Sequence, residues 1–213
     1  MKKVLILTAS TGEGHNQAAR SLEEKYEEKG YLTYKLDFFK DTSKVMNKLV
    51  ADGYRVLAQN FPGFYGVLYR AVDRKSFNRL TRAGYMVIKR QVYRRIEEID
   101  PDVIIATHPF AVGLIDQLKA KNRIDCSFIS VVTDFKAHYA YVAPTVDAYI
   151  TGSEYTKKTL VDRNIPESKI YPYGIPVKKA FQAYTKPKYI RPESGGKFHV
   201  LVMGGSMGSK DIA

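Results

Sequence analysis

Residues 3–20 read KVLILTASTGEGHNQAAR, a greasy run that passes through a glycine turn into a helix-forming stretch. The run VLIL (4–7) is short, continuous and apolar, the pattern of a strand covered on both faces. Over 16–29, Ala18, Ala19, Leu22 and Tyr26 recur with helical spacing on one side, while acids and lysines take the other. Gly30 follows where a helix-ending glycine is expected. Strand, glycine turn and helix, in that order, open an α/β fold.

The same alternation continues down the chain. Residues 32–38 alternate as a second strand, and VIIAT (103–107) reads as a buried third. Pro109 starts a helix that runs to Lys119. SFISVVT (127–133) and DAYIT (147–151) are further strands, Ser153 caps a helix through Arg163 with Glu154 in its first turn, and KIYPYGIPV (169–177) is a short strand and a Gly/Pro turn. The pattern predicts a Rossmann-like parallel sheet with helices on both faces. A helical insertion over about 40–99 interrupts it, with helical spacing at Val45, Met46, Leu49, Val50 and Leu57 and again at Tyr85, Ile88, Val92, Ile96 and Ile99. Residues 178–196 are polar and rich in Pro, Gly and Lys, and KFHVLVMGGSMG (197–208) opens a new strand and glycine loop. The expected organisation is a domain over 1–177, a linker over 178–196, and the start of a truncated second domain over 197–213.

The 213 residues hold 34 Lys and Arg against 22 Asp and Glu, a formal net charge of +12. Such a balance implies a polyanionic partner: nucleic acid, an anionic membrane surface or a phosphorylated substrate. Between 40 and 95 stand thirteen Lys or Arg and three acids, a net +10, so most of the excess lies in the insertion. The single cysteine, Cys126, reads as a small core residue and excludes a disulfide framework or a cysteine metal site. The first apolar run is too short for a signal-peptide core and no stretch approaches ~20 apolar residues, so a cytoplasmic protein, soluble or peripheral, is expected.

In an open parallel sheet ligands bind beyond the carboxyl ends of the strands. His15 follows the first strand, His108 follows VIIAT, and Asp134 with His138 follows SFISVVT, which puts three of the four histidines on that edge. His199, inside a strand, reads as structural. Gly12-x-Gly14-x-x-Gln17 lacks the third glycine of the dinucleotide fingerprint. Asp37 nevertheless stands about where a ribose-binding acid would, which keeps a dinucleotide-dependent oxidoreductase as one alternative. His15 fills the space a pyrophosphate needs at a helix N-terminus. The positive helix end disfavours imidazolium, so the ring suits a general base, the alternative being a cap. Thr107-His108-Pro109 is either substrate lining or a helix cap. Asp134 and His138 have no cysteine or carboxylate cluster beside them, and no metal is expected. The amides of GGSMG (Gly204, Gly205, Ser206, Gly208) suit a diphosphate.

As a set, TGEGHNQAA (11–19), ATHP (106–109), VVTDFKAH (131–138), YITGSE (149–154), KIYPYGIPV (169–177) and VMGGSMG (202–208) occur in a familiar order and spacing. Over 3–208 the chain resembles the processive diacylglycerol glucosyltransferases and monogalactosyldiacylglycerol synthases. The N-acetylglucosaminyltransferase of peptidoglycan lipid synthesis shares the two glycine loops and is the alternative within glycosyl transfer; the TDF-x3-H segment favours the glycerolipid branch. The resemblance implies the GT-B architecture, a first domain for the lipid acceptor and a second for the UDP-sugar, with inversion at the anomeric carbon and neither catalytic metal nor cofactor. The donor implied is UDP-glucose or UDP-galactose, and the acceptor diacylglycerol or a glycosyl-diacylglycerol. His15 becomes the base at the cleft floor, and Asp134 the alternative base or the group that orients the acceptor. Gly12, Gly14, Asn16, His108, Phe135 and His138 line the cleft, and the GGSMG amides stabilise departing UDP. The sequence departs from the family in lacking almost all of the donor domain, so these 213 residues are expected to be inactive alone. In the insertion, Phe64, Tyr65, Arg70, Arg74 and Lys75 belong to a stretch interleaving aromatics with cations, which suits peripheral attachment to anionic lipid on the inner membrane face. The alternatives are a helical subdomain that buries its own greasy face, or a basic nucleic-acid-binding module. The latter lacks any recognisable reading motif, so no nucleic acid is expected.

Overall fold

The computed structural model describes residues 1–9, 13–38, 40–41 and 77–182, with the backbone alone for 77–87. Gly12, the insertion residues Phe64, Tyr65, Arg70, Arg74 and Lys75, most of the 178–196 stretch, His199 and the loop from Gly204, Gly205 and Ser206 to Gly208 lie outside the described residues.

The strands β1 (Lys3–Thr8), β2 (Leu32–Asp37), β3 (Val103–Ala106), β4 (Ser127–Val132), β5 (Ala148–Thr151) and β6 (Ile170–Tyr171) form one sheet, all pairs parallel, in the order β2-β1-β3-β4-β5-β6. Period-two geometry sends successive side chains of β1 to opposite faces. Val4 and Ile6 join Ala19, Ile105 and Val131 beneath α1 (Glu13–Glu28), whereas Leu5 and Leu7 join the larger cluster beneath α2 (Phe77–Ile99) and α3 (Pro109–Lys119). Ile88, Val92, Ile96 and Ile99 are the buried stripe of α2. The helical spacing read at Ile88, Val92, Ile96 and Ile99 is thus a face packed on the core, and the Tyr85 side chain lies outside the described residues. Cys126 is partly buried against the same cluster. A short α4 (Glu154–Val161) follows β5, capped as expected by the Ser153 hydroxyl, which accepts from the Thr156 amide at 3.2 Å.

Two boundaries differ from the sequence reading. The first helix starts at Glu13 rather than 16, which takes Gly14 and His15 into its first turn. Glu13 favours this start, since a carboxylate is stabilised at the positive end of a helix, and it also accepts from Gln17 Nε2 at 3.1 Å. Secondly, the stretch expected to be a linker begins with one helical turn, α5 (Lys179–Gln182), whose Lys179 pairs with Glu28 of α1 at 2.7 Å. The far end of α1 matches expectation. Gly30 adopts φ 79°, the Gly30 amide donates to the Glu27 carbonyl and the Tyr31 amide to that of Tyr26, the hydrogen-bond pair of a Schellman cap.

From β1 the chain moves outward to β2, then returns across β1 to β3 and continues the other way. The direction of winding therefore reverses between β1 and β3. At such a switch point the loops after the two strands part and leave a crevice at their carboxyl ends.

Candidate active site

His15 rises from the first turn of α1 at this crevice, and Thr107, the residue after β3, grips it twice. The Thr107 carbonyl lies 2.8 Å from His15 Nδ1, and the Thr107 hydroxyl donates to the His15 carbonyl at 3.2 Å. A carbonyl only accepts, so Nδ1 carries the proton and the lone pair of the neutral ring sits on Nε2. Thr133 Oγ1, at the end of β4, stands 2.6 Å from the same Nδ1. Nε2 makes no hydrogen bond among the described residues. Burial lowers the pKa of His15 below its ordinary 6.5, against the raising effects of Asp134 and the Thr107 carbonyl. The ring is thus neutral, as expected from the helix end, but burial is the larger cause.

His108 caps α3: its Nδ1 accepts from the Phe110 amide at 3.2 Å. The ring stacks on Phe110 and meets His15 edge-on, with centroids 4.4 Å apart. Only 4% of the residue is exposed, so it forms the wall behind His15 rather than an open lining. Burial holds its pKa well below 6.5, and the neighbouring His15 and His138 add to this. A buried ring this close to a second imidazole is most stable uncharged.

Asp134 and His138 lie across the crevice in the segment after β4, with Asp134 Oδ2 3.4 Å from His138 Nε2. Burial alone would raise the Asp134 pKa, but the neighbouring His138 and Tyr141 outweigh it and the carboxyl lies below its ordinary value. The fully buried Tyr141 hydroxyl is held well above its ordinary value, first by burial and then by that carboxylate. Asp134 is therefore an anion facing a neutral His15. Asn16 turns away: its Oδ1 accepts from the Thr8 hydroxyl at 3.0 Å and ties α1 to β1. Phe135 is 85% exposed at the rim. Among the described residues, Gly14 has nothing within 4 Å of where a Cβ would stand. Asp37, weighed as a ribose ligand, accepts the Lys40 amide at 3.1 Å and closes the turn after β2. Among the described residues no group of three or more His, Cys, Asp or Glu is placed to hold a metal ion.

Of the expected residues, the structure brings His15, His108, Asp134 and His138 together and turns Asn16 elsewhere. Thr107, Thr133 and Tyr141, which orient them, were not recognised from sequence as partners of these groups. A threonine immediately beyond a buried strand, at the edge where the histidines fall, was the available signal for the first two; nothing marked Tyr141.

The monogalactosyldiacylglycerol (MGDG) synthase family profile matches residues 15–177, about three quarters of the chain. The chain belongs to the MGDG synthase family. The matched span opens on His15 and takes in every described residue of the crevice except Gly14. Among similar proteins are two processive diacylglycerol beta-glucosyltransferases. The one from Bacillus thuringiensis (strain Al Hakam) is 28% identical over 193 residues, and the one from Bacillus mycoides (strain KBAB4) is 28% identical over 190. Each match covers 88% of this chain and 48% of the relative, so the chain spans about half the length of the curated relatives it matches. A lipopolysaccharide outer core galactosyltransferase, WaaB in its apo form, shares the fold with a TM-score of 0.50 at 15% identity, over 80% of this chain and 44% of that one. Membership of the MGDG synthase family thus rests on sequence, and the α/β sheet agrees with it.

Proposed function

We infer that this chain is the acceptor half of a GT-B glycosyltransferase, which moves a hexose from UDP-glucose or UDP-galactose to diacylglycerol, or to a glycosyl-diacylglycerol, with inversion. The observation that carries this reading is the 2.8 Å contact of His15 Nδ1 with the Thr107 carbonyl, from which the tautomer of the ring is assigned. Its Nδ1 proton is committed to the Thr107 carbonyl, so Nε2 is a neutral acceptor at the switch-point crevice. In the reaction the acceptor hydroxyl oxygen bonds to the anomeric carbon while the bond from that carbon to the UDP oxygen breaks. The hydroxyl proton passes to Nε2, and UDP leaves with the bonding electron pair. Asp134, anionic across the crevice, stabilises the imidazolium so formed and orients the acceptor; it is the second choice of base. The amides of Gly204, Gly205, Ser206 and Gly208, with the second half found in the relatives, take the diphosphate. No cofactor enters this scheme.

The diacylglycerol acceptor resides in a membrane, and no helix among the described residues is long and apolar enough to cross one. We propose peripheral access on the inner face through the cationic and aromatic insertion, a reading supported by its net +10 over 40–95.

The test supplies the protein, extended by the second half its relatives carry, with UDP-hexose and dispersed diacylglycerol. Glycolipid should form, and His15→Ala should lower turnover by ~10²-fold or more at unchanged fold, since a positioned base contributes that much. Transfer at the parental rate in the variant would make His15 a cap and pass the role to Asp134. Absence of transfer to any diacylglycerol by the parent would remove the acceptor assignment.

A further inference from the structure

Away from the crevice, α2 and α3 enclose an open cavity of about 550 Å³. Lys89, Arg90 and Tyr93 of α2 line one side, and Gln117, Lys121 and Arg123 at the end of α3 line the other, with Leu118 as the apolar floor. α3 starts at the crevice and Gln117 lies nine residues past His108, roughly 14 Å along the helix axis at 1.5 Å per residue. Ligands of the two sites do not overlap.

Four cations therefore converge on one hollow. The neighbouring Arg94 and Arg95 share Glu98, at 3.0 and 2.7 Å, as surface arginines commonly do. Lys89, Arg90, Lys121 and Arg123 make no ion pair among the described residues. Glu97, one turn on from Tyr93, acts on the Tyr93 hydroxyl and raises its pKa. The cations crowd each other: burial lowers the pKa of Lys89, and Lys121 and Arg123 lower it further. Unpaired like charges gathered in a concave site cost folding energy unless an anion offsets them.

The backbone holds this arrangement in place. Asn122 adopts the left-handed φ of 51°, with its amide donating to the Lys119 carbonyl and that of Arg123 to Leu118. This Schellman turn swings Arg123 back over α2, where its guanidinium lies 6.0 Å from the centre of the Tyr93 ring. Two guanidinium forks, two ammonium groups and a primary amide line one hollow with donors. A tetrahedral dianion with three terminal oxygens satisfies more of them than a planar carboxylate does. The volume leaves room for an ester substituent beyond the anion.

We propose that the cavity between α2 and α3 binds a phosphate ester, carried either on a lipid headgroup or on a small soluble molecule. Calorimetry of the 213-residue chain with glycerol 3-phosphate tests it, beside flotation with phosphatidylcholine vesicles with and without phosphatidic acid. One saturable site for glycerol 3-phosphate is expected. Lys121→Gln with Arg123→Gln, or Lys89→Gln alone, should weaken it by about tenfold or more, because a charge-assisted hydrogen bond is lost in each case. Arg20→Gln with Lys25→Gln removes the same charge from α1 on the other face and should leave affinity unchanged. Circular dichroism confirms that each variant is folded, and Lys89→Gln keeps the test open should the α3 pair not fold. If the cavity variants lose glycerol 3-phosphate but float normally with phosphatidic acid, the source is soluble. Loss of both, or loss of flotation where the soluble ester never bound, assigns a lipid headgroup. Glycerol 3-phosphate and vesicle binding that the cavity variants leave intact, or that the α1 pair weakens equally, overturns the proposal. None of these readouts depends on glycosyl transfer, so the function proposed for the crevice stands or falls separately.

Discussion

Nδ1 of His15 has one proton to give, and the Thr107 carbonyl at 2.8 Å takes it, which confines the chemistry of the ring to Nε2. Because burial lowers the His15 pKa, the acid limb of kcat/KM for the extended enzyme should fall below 6.5. Asp134 works in the opposite direction and raises that pKa. Asp134→Asn should therefore move the acid limb to lower pH while turnover drops, because the imidazolium formed during transfer loses its counter-charge. A limb that stays fixed in a pH-rate profile of this variant would uncouple the two residues. The candidates at this scale were legible because each follows a strand in the sequence. Their partners were less so, since Thr133 reaches His15 across 118 positions and only the pairing of strands brings them together.

At the scale of elements, α1 is the instructive case. Gly12-x-Gly14 reads as a turn, yet Gly14 is helical and the helix begins at Glu13. A glycine there lowers helix stability, and a Cβ at Gly14 would meet nothing within 4 Å. Gly14→Ala should thus stabilise the fold by about 0.5–1 kcal/mol in denaturant melts, through the unfolded chain and helix propensity. If the acceptor passes over this backbone, as proposed, the same methyl should raise KM for diacylglycerol. A stabilised variant with unchanged KM would put the acceptor elsewhere. Propensity rules misplace the start because they charge glycine against the helix, whereas the grip of Thr107 on His15 extends the first turn through tertiary contacts.

For the molecule as a whole, alternating buried strands and amphipathic helices sufficed to derive a parallel sheet. The position of β1 inside the sheet, between β2 and β3, does not follow from local pattern, because it depends on which way each crossover winds. Stability should carry the signature of the buried imidazoles. His15 and His108 have lowered pKa values, so between 6.5 and those values the unfolded chain binds more protons than the folded one. Their contribution is complete above 6.5 and is lost as pH falls through that window. The melting temperature should decline from about pH 7 to about pH 5, and less so in His108→Asn, even if that variant starts lower. Charge should govern attachment in turn. With a net +10 over 40–95, the chain should float with vesicles containing phosphatidylglycerol and weakly with zwitterionic ones. Attachment should weaken as salt shortens the screening length from ~10 Å to ~3 Å. Replacing Arg70, Arg74 and Lys75 with Glu should abolish it; normal flotation of that variant would move the attachment surface away from this stretch.

The crevice draws its parts from distant places: His15 meets Thr107 across 92 positions and Thr133 across 118. Contacts of such long range form late, because closing large loops costs entropy before any pairing repays it. During synthesis β1 and α1 leave the ribosome long before β4 exists, and until β4 docks His15 has neither the Thr133 hydroxyl nor Asp134 beside it. The proposed base is thus a record of completed assembly, with its full set of partners in place only once the sheet has closed.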